Sequence, residues 1–160
     1  MLRQIRSEQS TLRPVTSELS PREISDRLCI HDVLTLYATA VDTRDWDGLR
    51  AVFTKDAVLD YSVFGGPRGT VDEAVGWMEK ALSRVRMTQH LVTNVLIQLG
   101  SDTAEETSAV FNPLGTEDDV VLVGGSYRDR MERTADGWRI AERKAEFAWS
   151  DRPIGRVRPG

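Results

Sequence analysis

The chain reads as one α+β domain, with about three N-terminal helices packed on one face of a curved, mostly antiparallel sheet. Helix-start signals and apolar stripes at three- and four-residue spacing crowd the first half. Long runs with strand character, joined by hairpin turns, fill the second half. The length of 160 residues and an apolar content of 40% suit a single core.

The elements follow in order. Residues 1–19 are polar, lack a clear period and read as a flexible segment. Ser20-Pro21-Arg22-Glu23 then combines an N-cap serine, a proline at the first helical position and a glutamate three residues after the cap. The predicted helix runs to about Thr43, with Ile24, Leu28, Leu34, Ala38 and Val41 as its apolar stripe. Asp45 is placed to cap a second short helix carrying Trp46, Leu49, Val52 and Phe53. Ala57 to Tyr61 reads as a strand, and Gly65 to Gly69 as a loop. Thr70-Val71-Asp72-Glu73 opens a third helix with Ala74, Trp77, Met78, Ala81 and Leu82 inward. Four strands are expected at about Thr88–Gln98, Thr103–Phe111, Val120–Arg133 and Trp138–Trp149. Gly100-Ser101 and Asp136-Gly137 supply hairpin turns, and Pro113 to Asp119 reads as a longer polar loop.

Bulk properties exclude several functions. The net charge of −4, with acids and bases interspersed, argues against nucleic acid, because phosphate binding needs a concentrated basic face. The exception is the tail, residues 151–160, with Arg152, Arg156 and Arg158 among Pro and Gly. No apolar run approaches the ~20 residues of a membrane span, and Met1 to Glu18 lacks the apolar region of a secretory signal. A single cysteine, Cys29, rules out an internal disulfide and four-cysteine zinc sites. It is expected to be buried as a small apolar residue, in a reducing, cytoplasmic setting. Two histidines far apart in sequence make no metal site, and no phosphate loop, dinucleotide fingerprint or Gly-x-Ser-x-Gly elbow is present. No cofactor is therefore expected.

Three stretches carry a family resemblance: Tyr37–Trp46 (YATAVDTRDW), Met87–Asn94 (MTQHLVTN) and Val123–Ile140 (VGGSYRDRMERTADGWRI). In order and spacing they resemble the SnoaL-like branch of the nuclear transport factor two-like superfamily, over a domain spanning residues 20–150. The resemblance implies a cone-shaped α+β barrel around a small-molecule pocket. Within the branch the sequence is most similar to scytalone dehydratase and hexachlorocyclohexane dehydrochlorinase. That likeness implies a cofactor-independent lyase or isomerase acting on a small cyclic molecule through an aspartate–histidine dyad. Asp42 falls on the aspartate and His90 on the histidine. Tyr61 matches a tyrosine that holds a catalytic water, and Ser126 and Arg128 fall on polar pocket positions. Two features depart from the dehydratase: Val41 stands where it has a tyrosine, and its second catalytic histidine has no counterpart.

The residue types fit that chemistry. Abstracting a proton beside a carbonyl or leaving group needs a base whose pKa lies near working pH, which histidine meets with least perturbation. A carboxylate on the other ring nitrogen fixes the tautomer and stabilises the imidazolium that forms. His31 lies 11 residues before Asp42, about 16 Å along a helix, and is excluded from the pair. In a continuous strand, Thr88, His90, Val92 and Asn94 share one face. Gly124, Ser126, Arg128 and Arg130 share another, with Ser126 and Arg128 as hydrogen-bond donors and the glycines clearing room for a ligand or a second backbone. Trp46, Phe53, Phe64, Trp77, Met78 and Trp149 are the candidate apolar walls, of which Trp46, Phe64 and Trp77 are assigned to substrate with Tyr61.

A second reading has no chemistry in it. The alternating charges from Arg128 to Arg133 also fit a solvated edge laced with ion pairs. The superfamily includes binding and assembly modules such as the β subunit of ring-hydroxylating dioxygenases. A curved sheet with an open apolar face is commonly covered by another copy, so a homo-oligomer, trimer or dimer, is expected.

Overall fold

The computed structural model describes residues 18–117 and 119–151. The segment up to residue 17 and the arginine-bearing tail from residue 152 lie outside the described residues.

Helix α1 (Pro21–Thr43) starts where its capping box predicts. The Ser20 hydroxyl accepts from the Glu23 N–H at 3.2 Å, and the Glu23 carboxylate accepts from the Ser20 N–H at 2.8 Å. It ends at Arg44, whose left-handed backbone (φ 59°) turns the chain into α2 (Trp46–Ala51). Asp45 caps α2 by accepting from the Gly48 N–H at 2.9 Å. Strand β1 (Phe53–Asp60) follows at once, so Phe53 belongs to the sheet and not to the second helix. A single 3₁₀ turn (Ser62–Phe64) and the short β2 (Arg68–Gly69) lead to α3 (Val71–Ala81), opened by the Thr70–Glu73 capping box. The remaining chain is β3 (Met87–Thr88), β4 (Leu91–Leu99), β5 (Thr103–Gly115), β6 (Val120–Thr134) and β7 (Gly137–Ser150).

These elements form a curled half-barrel, a mostly antiparallel sheet with the three helices. The strand order is β2-β1-β7-β6-β5-β3, with β4 also paired to β5 and β1 running parallel to β7. Two expectations are corrected here. Residues 113–115, expected to open the loop, are strand, because Met87 and Thr88 pair with Gly115 and Leu114. The expected strand Thr88–Gln98 is interrupted at Gln89–His90 and bulges between Thr93 and Leu96, where Asn94 takes a left-handed backbone (φ 51°). His90 therefore sits in a break, and the face parity of one continuous strand does not apply to it.

The buried side of α1 comprises Ile30, Val33, Leu34, Tyr37, Ala38, Ala40 and Val41 together with Asp26, whereas Ile24, Leu28 and Cys29 are exposed. A charged residue displaces two apolar ones because it has partners waiting in the sheet. Asp26 accepts from Arg133 Nη2 at 2.6 Å and from Trp138 Nε1 at 3.1 Å, and Arg133 lies 4.6 Å over the Trp138 ring. The hydrogen bond from Arg133 holds the Asp26 carboxyl below its usual range. This contact ties the start of the chain to the β6–β7 hairpin, more than 100 residues away in sequence.

A second polar cluster lies inside the cone. Glu106 on β5, Asp129 on β6 and Arg143 on β7 are register partners across three strands. Arg143 donates to both Asp129 oxygens at 2.9 and 2.5 Å, and both side chains are fully buried. Glu106 is 2% exposed, beside the Ser108 hydroxyl and the Asp129 carboxylate. Burial, and then the Asp129 charge beside it, push the Glu106 carboxyl up to about 8. The raised value sets the sign of a linkage. Folded and unfolded states bind protons alike below about pH 4.5, and between there and about 8 the folded state retains a proton the unfolded state has lost. Stability from this group therefore declines as pH rises through that window. Glu106→Gln should remove that decline, so that the variant gains in stability on the native protein as pH rises from 5 to 8. Urea unfolding of both proteins across pH 5–8 checks it, and parallel stability profiles would refute it.

Candidate functional site

Asp42 lies on the last turn of α1, where the helix dipole opposes a negative charge. Its carboxylate is compensated from the sheet. Oδ2 accepts from the His90 backbone N–H at 2.7 Å, and Oδ1 meets His90 Nδ1 at 2.6 Å. The break at Gln89–His90 makes this possible, because a backbone N–H that β5 would otherwise claim is free to turn toward α1. With Asp42 as a carboxylate, the proton between the pair belongs to Nδ1, so Nε2 is the nitrogen left for chemistry. The His90 side chain is 9% exposed and that of Asp42 is 19% exposed.

Nε2 has a neighbour that the sequence reading placed next to a loop. The Asn112 side-chain amide lies 3.0 Å from it. With the amide nitrogen toward the ring, Asn112 donates to the lone pair of a neutral imidazole. Turned over, its oxygen accepts from Nε2–H of an imidazolium, while the two N–H groups have Thr88 Oγ1 at 2.9 Å, the Pro113 carbonyl at 3.1 Å and the Gln89 carbonyl at 3.2 Å as acceptors. The second orientation satisfies both ends of the amide. One residue thus has a partner atom for either protonation state of the imidazole.

Tyr37, five residues before Asp42, packs edge-on to the imidazole at 6.3 Å. Its hydroxyl meets that of Tyr61 at 2.8 Å and that of Tyr127 at 3.5 Å. Burial pushes the Tyr61 and Tyr127 phenols well above the ordinary range, so the trio is a neutral hydrogen-bonding cluster. Tyr61 therefore reaches the dyad through Tyr37. Trp77 stacks on Tyr61 at 5.7 Å and 25°. Phe64 meets Phe147 edge-on at 6.2 Å, and Trp46 packs against the core from α2.

Ser126 and Arg128 are not part of this cluster. Tyr127, Asp129 and Met131 face inward on β6, which turns Ser126 and Arg128 to the outer surface. There Arg128 donates to Glu146 at 3.0 Å with its side chain 63% exposed, and the Ser126 hydroxyl lies 3.4 Å from the same carboxylate. The stretch fits both faces of an alternating strand; Tyr127 meets Tyr37 of α1 and Asp129 meets Arg143 of β7, which makes these two the inner set. Gly124 and Gly125 make room for protein, not ligand. A Cβ would stand 2.3 Å from Trp149 Nε1 at Gly124 and 2.4 Å from the Glu146 carbonyl at Gly125.

Two surface grooves, of about 280 and 320 Å³, lie elsewhere. One runs between α1 and α2 past Val33, Leu36, Ala40 and Val52, and the other crosses the outer sheet face past Val58, Arg128, Glu142 and Lys144. Neither is lined by Asp42 or His90. Among the described residues, no group of three or more His, Cys, Asp or Glu is arranged to hold a metal ion, and no helix is long and apolar enough to cross a membrane.

Comparisons with known proteins place this geometry. Residues 22–144 match the SnoaL-like domain. An uncharacterized protein of Mycobacterium tuberculosis is 38% identical over 130 residues, covering 79% of this chain and 88% of its own. A solved structure from Novosphingobium aromaticivorans, provisionally named an aromatic ring hydroxylase, is 32% identical with a TM-score of 0.72, over 79% of this chain and 91% of its own. Two structures share the fold at lower identity, both with a TM-score of 0.72. One, from the same organism and provisionally named a scytalone dehydratase, is 20% identical over 84% of this chain and 97% of its own. The other, a hexachlorocyclohexane dehydrochlorinase, is 19% identical over 86% and 97%. The chain belongs to the SnoaL-like domain family, within the nuclear transport factor two-like superfamily.

Proposed function

We propose that the protein is a cofactor-independent lyase or isomerase that abstracts a proton from a small cyclic organic molecule. The observation that carries this reading is the two-point grip of Asp42 on His90, at the backbone N–H and at Nδ1. A histidine needed only for packing gains little from a carboxylate that fixes its tautomer as well as its position. A general base gains both an unprotonated Nε2 and a counter-charge for the imidazolium. In the proposed step Nε2 takes a proton from ring carbon. The C–H electron pair forms the new double bond, and either halide departs with the electrons of its own bond or hydroxide departs with those of the C–O bond and takes the proton from Nε2 to leave as water. Asn112 swings its amide from donor to acceptor as the ring gains the proton. Names among the structural neighbours, a dehydratase and a dehydrochlorinase, are consistent with eliminations of this kind.

A second reading rests on a specific observation. Nε2 is already engaged by Asn112. A binding or assembly module would use the dyad to hold α1 against the sheet, and the site would turn nothing over.

Two measurements separate the readings. Assayed against a panel of cyclic β-hydroxy ketones and chlorinated cyclohexanes, His90→Ala should lose about 10²–10⁴-fold in kcat while melting as a folded protein. Turnover retained by that variant would remove His90 from the mechanism. Independently of substrate, histidine ¹⁵N and low-field proton NMR should show His90 protonated at Nδ1 in the native protein. Asp42→Asn should lose that low-field proton, and an unchanged spectrum would mean that Asp42 does not set the tautomer.

A further inference from the structure

The outward side of α1 takes no part in the dyad and is unlike an ordinary solvated helix face. Asp26 and its partners in the sheet occupy the inner side at the start of the helix, which turns Ile24 and Leu28 out, 47% and 60% exposed. Leu36, 57% exposed, lies further along the same side. Among the exposed residues from Ile24 to Thr43, Asp32 is the one Asp, Glu, Lys or Arg, in a chain where such residues make up 29%. Thr35 and Thr43 donate their hydroxyls to the His31 and Thr39 carbonyls of their own helix, at 3.0 and 2.8 Å, which leaves their methyl groups for a neighbour. Depletion of charge is a mark of the centre of a protein interface.

The face has two unlike halves. Ile24 and Leu28 project from the first. Beside the second runs the groove between α1 and α2, of about 280 Å³, lined by Val33, Leu36, Ala40 and Val52. The midpoint between projection and groove falls at His31–Asp32. At about 1.5 Å of rise per residue, Leu28 and Ile24 stand roughly 5–11 Å to one side of that point, and Leu36 and Ala40 roughly 7–13 Å to the other.

We propose that this face is the contact between two copies of the chain, related by a two-fold axis that crosses α1 at His31–Asp32. Shape selects a second copy over an unrelated partner. One patch carries both a projection and a recess at matching distances from its centre, which is what an isologous contact requires. In the antiparallel pair, Ile24 and Leu28 enter the groove beside the partner subunit's Leu36 and the partner subunit's Ala40, and the same contact recurs on the other side of the axis. At the axis the His31 ring, a hydrogen-bond donor, lies opposite the partner subunit's Asp32, the one carboxylate on the face. The area suffices for a specific dimer. The 23 residues of α1 span about 34 Å. With α2 beside it the face is about 20 Å wide, giving roughly 700 Å² per copy against the ~800 Å² of a standard interface.

Sedimentation equilibrium of the full chain, from about 1 to 200 µM, tests this. The native protein should be a dimer at the upper concentration. Leu28→Glu sets a carboxylate in the apolar recess of both copies and should weaken association by about 100-fold or more, with native far-UV circular dichroism. His31→Glu opposes two carboxylates at the axis and should weaken it by about 10-fold or more, and His31→Glu combined with Asp32→Lys should restore it. Trp149→Lys, on the outer sheet face opposite Gly124, should leave the dimer intact. A native protein that is monomeric or trimeric at the upper concentration would overturn the proposal. So would association that Leu28→Glu leaves unchanged, or that Trp149→Lys abolishes, since the contact would then belong to the sheet. A double variant no tighter than His31→Glu would remove the axis from this position and the proposal with it. If Leu28→Glu loses its native circular dichroism, Ile24→Glu takes its place with the same expected loss, and unchanged association counts against the interface.

Discussion

A carboxylate in the last turn of a helix is opposed by the carbonyls around it. Asp42 holds such a position because His90 offers a backbone N–H and a ring nitrogen at hydrogen-bond distance. Much of the local architecture serves this meeting. The strand containing His90 breaks so that its N–H leaves the sheet, β3 is only two residues long, and Asn112 is drawn into β5 by the pairing of Met87 and Thr88. Were the strand continuous, that N–H would belong to a ladder and Asp42 would have no reason to be there.

The interior is polar at two levels and aromatic between them. Toward one end Asn112, His90 and Asp42 form a chain of hydrogen bonds open at Asp42 to solvent. Toward the other, Arg143 and Asp129 form a closed pair beside the buried Glu106. Tyr37 touches both. Its ring edge faces the imidazole and its face carries the Arg143 guanidinium, while its hydroxyl joins Tyr61 and Tyr127. A change at Tyr37 would be felt at both ends, so it is a poor probe of either, and residues at the extremes report on one end at a time.

Capping chemistry was legible because it is local: Ser20, Asp45 and Thr70 cap the three helices within a few residues of where their sequences place them. The contact between Asp42 and His90 was legible through resemblance, since nothing local links positions 48 residues apart. The inner face of β6 was not. Ser126-Tyr127-Arg128-Asp129 offers a plausible polar pair on either side, and an aspartate turns inward only because Arg143 neutralises it from the next strand. The same reason hides the burial of Asp26, whose partners Arg133 and Trp138 lie at the far end of the chain. Asn112 was hidden differently. Pro113 and Gly115 mark a loop by composition, and tertiary pairing with a two-residue strand overrides that signal.

These misses share a physical origin that bears on function. Each is a polar side chain inside a sheet, tolerable only when a partner from another element is present, and hydropathy patterning counts the residue without seeing the partner. Asp26, Asp129 and Asn112 have such partners, and their burial is explained by them. Glu106 has the same burial, and it too is met from within the sheet, by the Ser108 hydroxyl on its own strand and by Asp129 across the register, with burial and the Asp129 charge favouring its protonated form.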